Sequence, residues 1–424
     1  MEKDVVFIDY DGRTVASKTI TEINAMTDDT DLPANPTHEG LIAQGWNWTV
    51  AQLKAQLLAM PEQKVYVGQM YTTASGATEI DVEMRDGKLN PMISLSVNGT
   101  VTIDWGDNTT PDSVTGTSLS NSYSASHIYI NTGNYTIKIK ETNGTYGFYP
   151  SSPRTTISDN SEGGSSDTYN VVYSSGVKRV RIGSGAQKIG SSAFKYFTDI
   201  ENITIPNTIT GVIGSSSFAN CYSLKSITLP INITDISTYV FQSDNSLSVV
   251  SMPGSITDIT NHHLFYSLKS VRRITIPNGK TKIRSGDFYD CNSLPSITIP
   301  SSVTSIDDSA FYYCYNLKKV IFKGSLVTTI DSSAFGYCYS LSSFTIPSSV
   351  TTIGTSAFTN CRGMKEYHML PTEPPTLSNT NAFTGIRSDC IIYVPYSADH
   401  SVLTAYQGAS NWSTYASKMQ EEPQ

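Results

Sequence analysis

The residues able to do chemistry are few and widely spread. Asp9 and Asp11 follow the apolar run VVFI, so two carboxylates stand close together at the end of a strand-like segment. The six histidines, at 38, 127, 262, 263, 368 and 400, show no H-E-x-x-H or comparable ligand spacing, and His262 and His263 fall in a turn. The six cysteines include no C-x2-C pair, the spacing a structural zinc site would need. Gly-rich phosphate loops and a G-x-S-x-G elbow are absent. These features predict no metal, no cofactor and no catalytic centre.

The segment VVFIDYDGRT resembles the first motif of haloacid-dehalogenase-type phosphatases. That resemblance implies that Asp9 attacks phosphorus and Asp11 protonates the leaving group. The same chemistry needs a lysine for charge balance and a distant acidic pair for magnesium. Asp28 and Asp29 lie too close in sequence, and no α/β domain has room before the next strands begin. A D-G hairpin turn is the competing reading, and a phosphatase is kept only as the third functional class.

The elements that position these residues follow from composition and period. A chain of 424 residues suggests two to four modules. Only 16% of residues are charged and 38% hydrophobic, while 25 are Tyr, a mixture that suits strands, turns and contact surfaces. The net charge of −8 argues against a nucleic-acid partner. No run of about 18 apolar residues exists, so no membrane insertion is expected. Charge is uneven: residues 1–145 carry 9 Lys+Arg against 18 Asp+Glu, and the remainder 20 against 19, which marks a module boundary.

A repeat dominates residues 171–390. Phe194, Phe218, Phe241, Phe265, Phe288, Phe311, Phe335 and Phe358 recur at gaps of 23 or 24. Each is followed by an alternating run such as IENITIP or LPSITIP, closed by Pro (by Gly324 after Phe311), and then by a second short piece such as VTSI or VTTI. Alternation predicts a strand, and Pro stops it because it cannot donate to a ladder. Such a unit buries its apolar face only by stacking on neighbours, so a solenoid of about eight coils is expected, roughly 40 Å long at strand spacing. Cys221, Cys291, Cys314, Cys338 and Cys361 each fall three residues after a repeat Phe and are expected as core filler, like the Phe column itself. Cys390 stands outside the pattern.

The pattern F-x-x-C-x-x-L-x-x-I-x-I-P-x-x-V-T-x-I resembles the BspA-like leucine-rich repeat family, most clearly at 311–322 and 335–353. The repeats at 241 and 265 depart from it by lacking the Cys. The tail 391–424 resembles the segment that closes such arrays, with one more strand and then a helix whose apolar side is Leu403, Tyr406, Trp412 and Tyr415.

Ahead of the repeats, TIDWGDNTTPDS and SHIYINTGNYTIKI resemble a polycystic-kidney-disease-type immunoglobulin-like sandwich. The matching residues are Asp104, Trp105, Gly106, Asp107, His127, Tyr129, Gly133 and Tyr135. That resemblance implies a spacer or protein-binding module, placed at 63–145. Residues 1–62 read as a small α+β attachment module with a hairpin and a helix at 49–60, Thr49 as N-cap and Pro61 after the last turn. The stretch LPANPTHEGLIAQGWNWTVAQLKA resembles segments at the front of surface and prophage-encoded proteins of gut bacteria. Residues 146–170 have linker composition. The predicted class is mainly β: an α+β front, an Ig-like sandwich, a linker, the repeat solenoid and a C-terminal cap.

Two surface features suit binding. Thr204, Thr228, Thr275, Thr298 and Thr345 form one column, and Thr210, Thr234, Thr257, Thr281, Thr304, Thr328 and Thr351 a second. Hydroxyls at strand spacing could meet a glycan, or simply fill exposed strand positions. Tyr222, Tyr289, Tyr312, Tyr313, Tyr315, Tyr337 and Tyr339 fall in the turns, where Tyr gives rigid contact area at low entropy cost. Arg272, Arg273, Lys318 and Lys319 occupy strand positions facing away from the core.

The functional expectation is a non-catalytic adhesion or receptor-binding protein contacting a cell-surface protein or glycan, alone or as a homo-oligomer. The opening MEKDVVFIDYDG lacks the basic and apolar regions of a secretory signal. A phage structural protein leaves by lysis, so a virion-associated fibre or spike attached through residues 1–145 is preferred. A bacterial cell-surface adhesin of the BspA-like kind is the alternative.

Overall fold

The computed structural model describes residues 4–423 apart from 62, 87–88, 150–155, 160–175, 257–258 and 260–261. The chain divides into two units, Met1–Asn261 with Arg273–Thr275, and His262–Arg272 with Ile276–Gln424.

In the first unit the apolar run VVFI forms β1 (Val5–Ile8), buried at every position. A strand apolar at both parities needs cover on both faces. It pairs antiparallel with β2 (Thr14–Lys18) across the Asp-Gly turn, where Gly12 adopts φ +82, and parallel with β4 (Val65–Thr73). With β3 (Leu41–Trp46) the sheet order is β2-β1-β4-β3. Helices α1 (Ile20–Ala25) and α2 (Val50–Ala59) cover one face through a core of Phe7, Ile23, Trp46, Trp48, Leu53 and Leu57. Thr49 caps α2 as predicted: its hydroxyl accepts from the Gln52 amide, and the Gln52 side chain accepts from the Thr49 amide.

The other face of this sheet is covered by coils of the same unit. Val6, Ile8 and Tyr66 pack on Val249, and all nine residues of β4 are buried. The strand at 65–73, assigned by sequence to the sandwich, therefore belongs to the front sheet; a fully buried strand is stable only at a centre such as this.

The next strands, β5 (Thr78–Met84), β6 (Pro91–Asp104), β7 (Asp112–Ser126) and β8 (Gly133–Phe148), were expected as a self-contained sandwich. They are hydrogen-bonded as one eight-stranded sheet that takes in the first coil strands, β10 (Val177–Arg181) and β12 (Asn202–Thr204), in the order β12-β10-β5-β8-β6-β7. Pairing β5 with β10 satisfies an edge that a free-standing domain would leave open. Of the expected linker, 146–148 end β8, 157–159 form β9 beside β6, and 150–155 and 160–170 lie outside the described residues. β11 (Ala186–Ile189) completes the first coil and pairs with β8.

The period then imposes itself. In the first unit β14 (Ser226–Thr228), β16 (Val249–Ser251) and β17 (Arg273–Ile274) run parallel, and Phe194, Phe218 and Phe241 stack at 5.5 and 5.9 Å. In the second unit five short strands, from Lys282–Ile283 to Thr376–Leu377, form one parallel ladder. There Phe265, Phe288, Phe311, Phe335, Phe358 and Phe383 stack at 5.0 to 5.4 Å. With the coil before Phe194 and the one at Phe383, the turns number about ten instead of eight. Phe383 escaped notice because it follows Phe358 by 25 residues.

All six cysteines are free and buried. Cys221, Cys291, Cys314, Cys338 and Cys361 donate to the carbonyls of Phe194, Phe265, Phe288, Phe311 and Phe335 at 3.0 to 3.3 Å. Burial raises their thiol pKa values, that of Cys361 to about 12. At the same turn position Asp244 is fully buried; it accepts from the Cys221 amide at 2.7 Å, and burial holds its carboxyl well above the ordinary range.

The cap departs from the single expected helix. Strand Ile391–Val394 leads to α3 (Ser401–Gly408), then a 3-10 turn at Trp412–Lys418, because Asn411 adopts φ +65 and breaks the α-helix between them. Tyr406 and Trp412 are fully buried and Tyr415 nearly so, whereas Leu403 is only half-buried. A closing strand, Met419–Glu421, pairs with Ile392–Val394.

Candidate contact surface

From Phe194 to Phe358 each coil turn has the same backbone. The residues two before and two after the repeat Phe take left-handed φ, as at Ser309 (+54) and Tyr313 (+64) around Phe311, and Ser333 (+56) and Tyr337 (+61) around Phe335. For tyrosine this conformation is uncommon and costs energy that the stacked coil must over-determine. It turns the flanking side chains outward, and in the second unit two of these, Tyr313 and Tyr337, are tyrosines with further tyrosines beside them.

Tyr289, Tyr312, Tyr313, Tyr315, Tyr337 and Tyr339 come together as one group. Tyr289 stacks near Tyr312 at 5.6 Å, Tyr312 lies against Tyr313 at 4.2 Å, Tyr313 against Tyr337 at 5.0 Å, and Tyr315 stacks on Tyr339 at 5.0 Å and 8°. Tyr266 extends the row, stacked on Tyr289 at 4.7 Å, and the Arg362 guanidinium sits 5.7 Å over Tyr339. Tyr339 is exposed and the others half-buried. Burial, then the neighbouring phenols, raises the pKa of Tyr289 and Tyr315, so these hydroxyls stay protonated and neutral. The result is a rigid amphipathic surface whose side chains are already ordered.

The other predicted residues do not join it. Tyr222 belongs to the first unit, is 44% exposed, and turns its hydroxyl to Asn220 at 3.2 Å. Arg272 is exposed, and Arg273 lies on β17 of the first unit. Lys318 and Lys319 are exposed on the strand side; Lys319 lines a groove of about 320 Å3 with Ile321, Phe322 and Leu370.

The threonine columns also differ from expectation. Thr204, Thr228, Thr275 and Thr298 are buried, and only Thr345 of that column is exposed. In the first unit the cause is the front sheet: the Tyr66 amide donates to Thr275 at 3.1 Å, and a β-carbon at Gly68 would overlap Thr228. In the second column Thr304, Thr328 and Thr351 each donate to the carbonyl of the preceding column residue at 3.2 to 3.3 Å, so the hydroxyls are consumed within the ladder. Thr257 lies outside the described residues.

The Asp9 carboxylate offers no open nucleophile. It is fully buried and accepts from Tyr71 at 2.8 Å, the Tyr10 amide at 2.9 Å and Arg13 at 3.1 Å, with His38 at 2.8 Å. Burial opposes its ionisation, but these hydrogen bonds outweigh it and hold the pKa below the ordinary value. Asp11 accepts from the Arg13 amide within the hairpin turn.

Further along, Trp105 is buried and stacks on His127 at 5.0 Å. His127 meets Asp107 at 2.7 Å, and Tyr129 donates to the Trp105 carbonyl at 2.7 Å. That motif is a structural latch between β6 and the segment entering β8. Among the described residues no group of three or more His, Cys, Asp or Glu side chains is placed to hold a metal ion, and no helix is long and apolar enough to cross a membrane.

The pattern of the BspA type leucine rich repeat region matches in six copies over residues 168–264 and 261–385, about half the chain. Similar solved structures include a leucine-rich repeat protein from Bacteroides ovatus (21% identity, 58% of this chain, TM-score 0.43), of whose length 66% is matched. Another, from Eubacterium ventriosum, is 24% identical over 62% of this chain and 77% of its own, with TM-score 0.40. A leucine rich cell surface protein from Faecalibacterium prausnitzii is 18% identical over 62% of this chain and 94% of its own, with TM-score 0.25. No curated protein matches the chain.

Proposed function

The chain belongs to the BspA type leucine rich repeat family, and from that premise we propose that it is an adhesin-type bacterial surface protein that binds its target through the tyrosine turns of the second unit. The observation that carries this reading is the packed, outward-facing group from Tyr266 to Tyr339. Aromatic side chains held in place before contact lose little entropy on binding, which is how small surfaces reach useful affinity. The threonine faces support it less well, being covered or internally bonded. The reading is non-catalytic, and Asp9 acts in it as an anchor of the front hairpin.

Two measurements test it. Quantitative mass spectrometry of a producing culture should find the protein in the cell-envelope fraction; recovery in phage-density particles would instead give a virion-associated fibre or spike. Purified full-length protein on beads should bind target cells or host-surface protein, and Tyr315→Ala with Tyr339→Ala should lower that binding at least tenfold with the fold retained. Unchanged binding would remove the tyrosine turns from the reading.

A further inference from the structure

Within the first unit a cavity of about 420 Å3 opens between the loop at 29–35, the end of β3 and the coils at Asn207 and Ile231. That size falls in the roughly 300–1,000 Å3 range of small-molecule sites. Five of its six polar side chains are neutral; Thr30 and Thr49 are committed to bonds with Asp28 and the Gln52 amide. The Asn35 and Asn207 side-chain amides make no hydrogen bond among the described residues. Gln44 accepts from the Asn207 amide at 2.8 Å through Oε1, which leaves its NH2 group to donate. No Lys or Arg lines the cavity, which disfavours an anion. Asp29 is the one charged lining group, and its carboxylate is committed to the first amide of α2, accepting from Val50 at 2.7 Å.

The apolar part of the wall combines the rings of Trp46 and Trp48 with Leu32, Ala34, Met70 and Ile231. Trp46 and Trp48 both line the cavity, and both spend their indole N–H elsewhere, on the carbonyls of Pro33 at 2.8 Å and Met252 at 2.7 Å. The indoles are therefore fixed, and they present carbon, not a donor, to the space. Three amides beside an apolar wall, with no cation in the lining, match an uncharged ligand with several hydroxyls and one apolar face.

We infer that this cavity is a binding site for a neutral saccharide, held by the amides of Asn35, Gln44 and Asn207 against Trp46 and Trp48. The site is separate from the tyrosine turns and does not depend on their role. It would make the front module a second, glycan-directed contact.

The test uses the full chain with 15N-labelled tryptophan, titrated with cellobiose and with N,N′-diacetylchitobiose up to about 10 mM, above the range of weak sugar sites. The chain has 4 Trp, so Trp46 and Trp48 report on the cavity, while Trp105 and Trp412 serve as internal controls. Expected is a saturable shift of the Trp46 and Trp48 indole signals with at least one disaccharide, the controls unmoved, and an apparent Kd raised at least fivefold by Asn35→Ala or Gln44→Ala. The control signals also show that each variant is folded. No shift with either sugar, equal shifts of all four indoles, shifts indifferent to both variants, or a response to choline chloride alone would each overturn the inference.

Discussion

The side-chain amide of Asn47 lies 3.0 Å from the hydroxyl of Ser251, 204 residues further along the chain. The same NH2 group donates to the Leu229 carbonyl at 3.0 Å, and the Asn47 oxygen accepts from the Gly68 amide at 2.8 Å. Trp48 adds a hydrogen bond to Met252, and Ser226 donates to the Tyr10 carbonyl at 2.7 Å. One fully buried asparagine thus joins the front sheet to the coils.

Replacing Asn47 by Leu keeps the branched four-atom shape but strands the Leu229 carbonyl and the Gly68 amide without partners, while the Ser251 hydroxyl keeps its bond to the Tyr66 carbonyl. The expected loss is about 3 kcal/mol or more, read by urea unfolding of the full chain. A loss below about 1 kcal/mol would mean that water replaces the side chain.

The cysteine column predicts a kinetic result. Native protein should react slowly with Ellman's reagent, because buried thiols with raised pKa values present almost no thiolate at neutral pH. In denaturant without reductant, about six thiols should titrate; a count near zero would show disulfides instead.

Asp244 predicts a pH dependence. Its folded pKa is raised above the unfolded value, so the native state holds the proton there. The stability linked to that proton is present below the unfolded pKa of about 4 and is lost as pH rises. Asp244→Cys, which restores the residue used in neighbouring coils, should therefore stabilise the protein more at pH 7 than at pH 4. The gain should shrink as pH falls toward the unfolded pKa of about 4 and level off below it. A pH-independent difference would show that packing, not ionisation, is responsible.

Tyr337 separates backbone strain from ring packing. Tyr337→Ala and Tyr337→Gly lose the same ring contacts, but only glycine adopts φ +61 without cost. Thermal denaturation should find the glycine variant more stable by about 1 kcal/mol. The reverse order would mean that the turn relaxes out of the left-handed region once the ring is gone.

If the tyrosine turns carry binding, a threonine-ladder variant should be nearly silent. Thr328→Val removes one hydrogen bond to the Thr304 carbonyl and should cost about 1 kcal/mol of stability or less, with target binding unchanged. A tenfold loss of binding in that variant would move the contact surface to the strand side.

Much of this molecule is written in its spacing. Parallel coils place each residue over its equivalent one period away, so a period of 23 or 24 dictates the Phe stack, the buried Cys column and the tyrosine row without further information. Thr49 and the Gln three residues later specify the start of α2 because a capping box is local chemistry. Phe383 and Tyr266 were missed where spacing or neighbouring repeats departed from the pattern. What the tertiary structure alone decided is which surfaces are covered. Asn47 reads as an ordinary polar loop residue, Thr228 as an exposed strand position and β5 as the edge of a separate domain. Each is determined by a partner far away in sequence: Ser251, Gly68 and β10. Burial of a hydroxyl or an edge depends on what arrives from elsewhere in the chain, and neither the side chain nor its neighbours in sequence record that arrival.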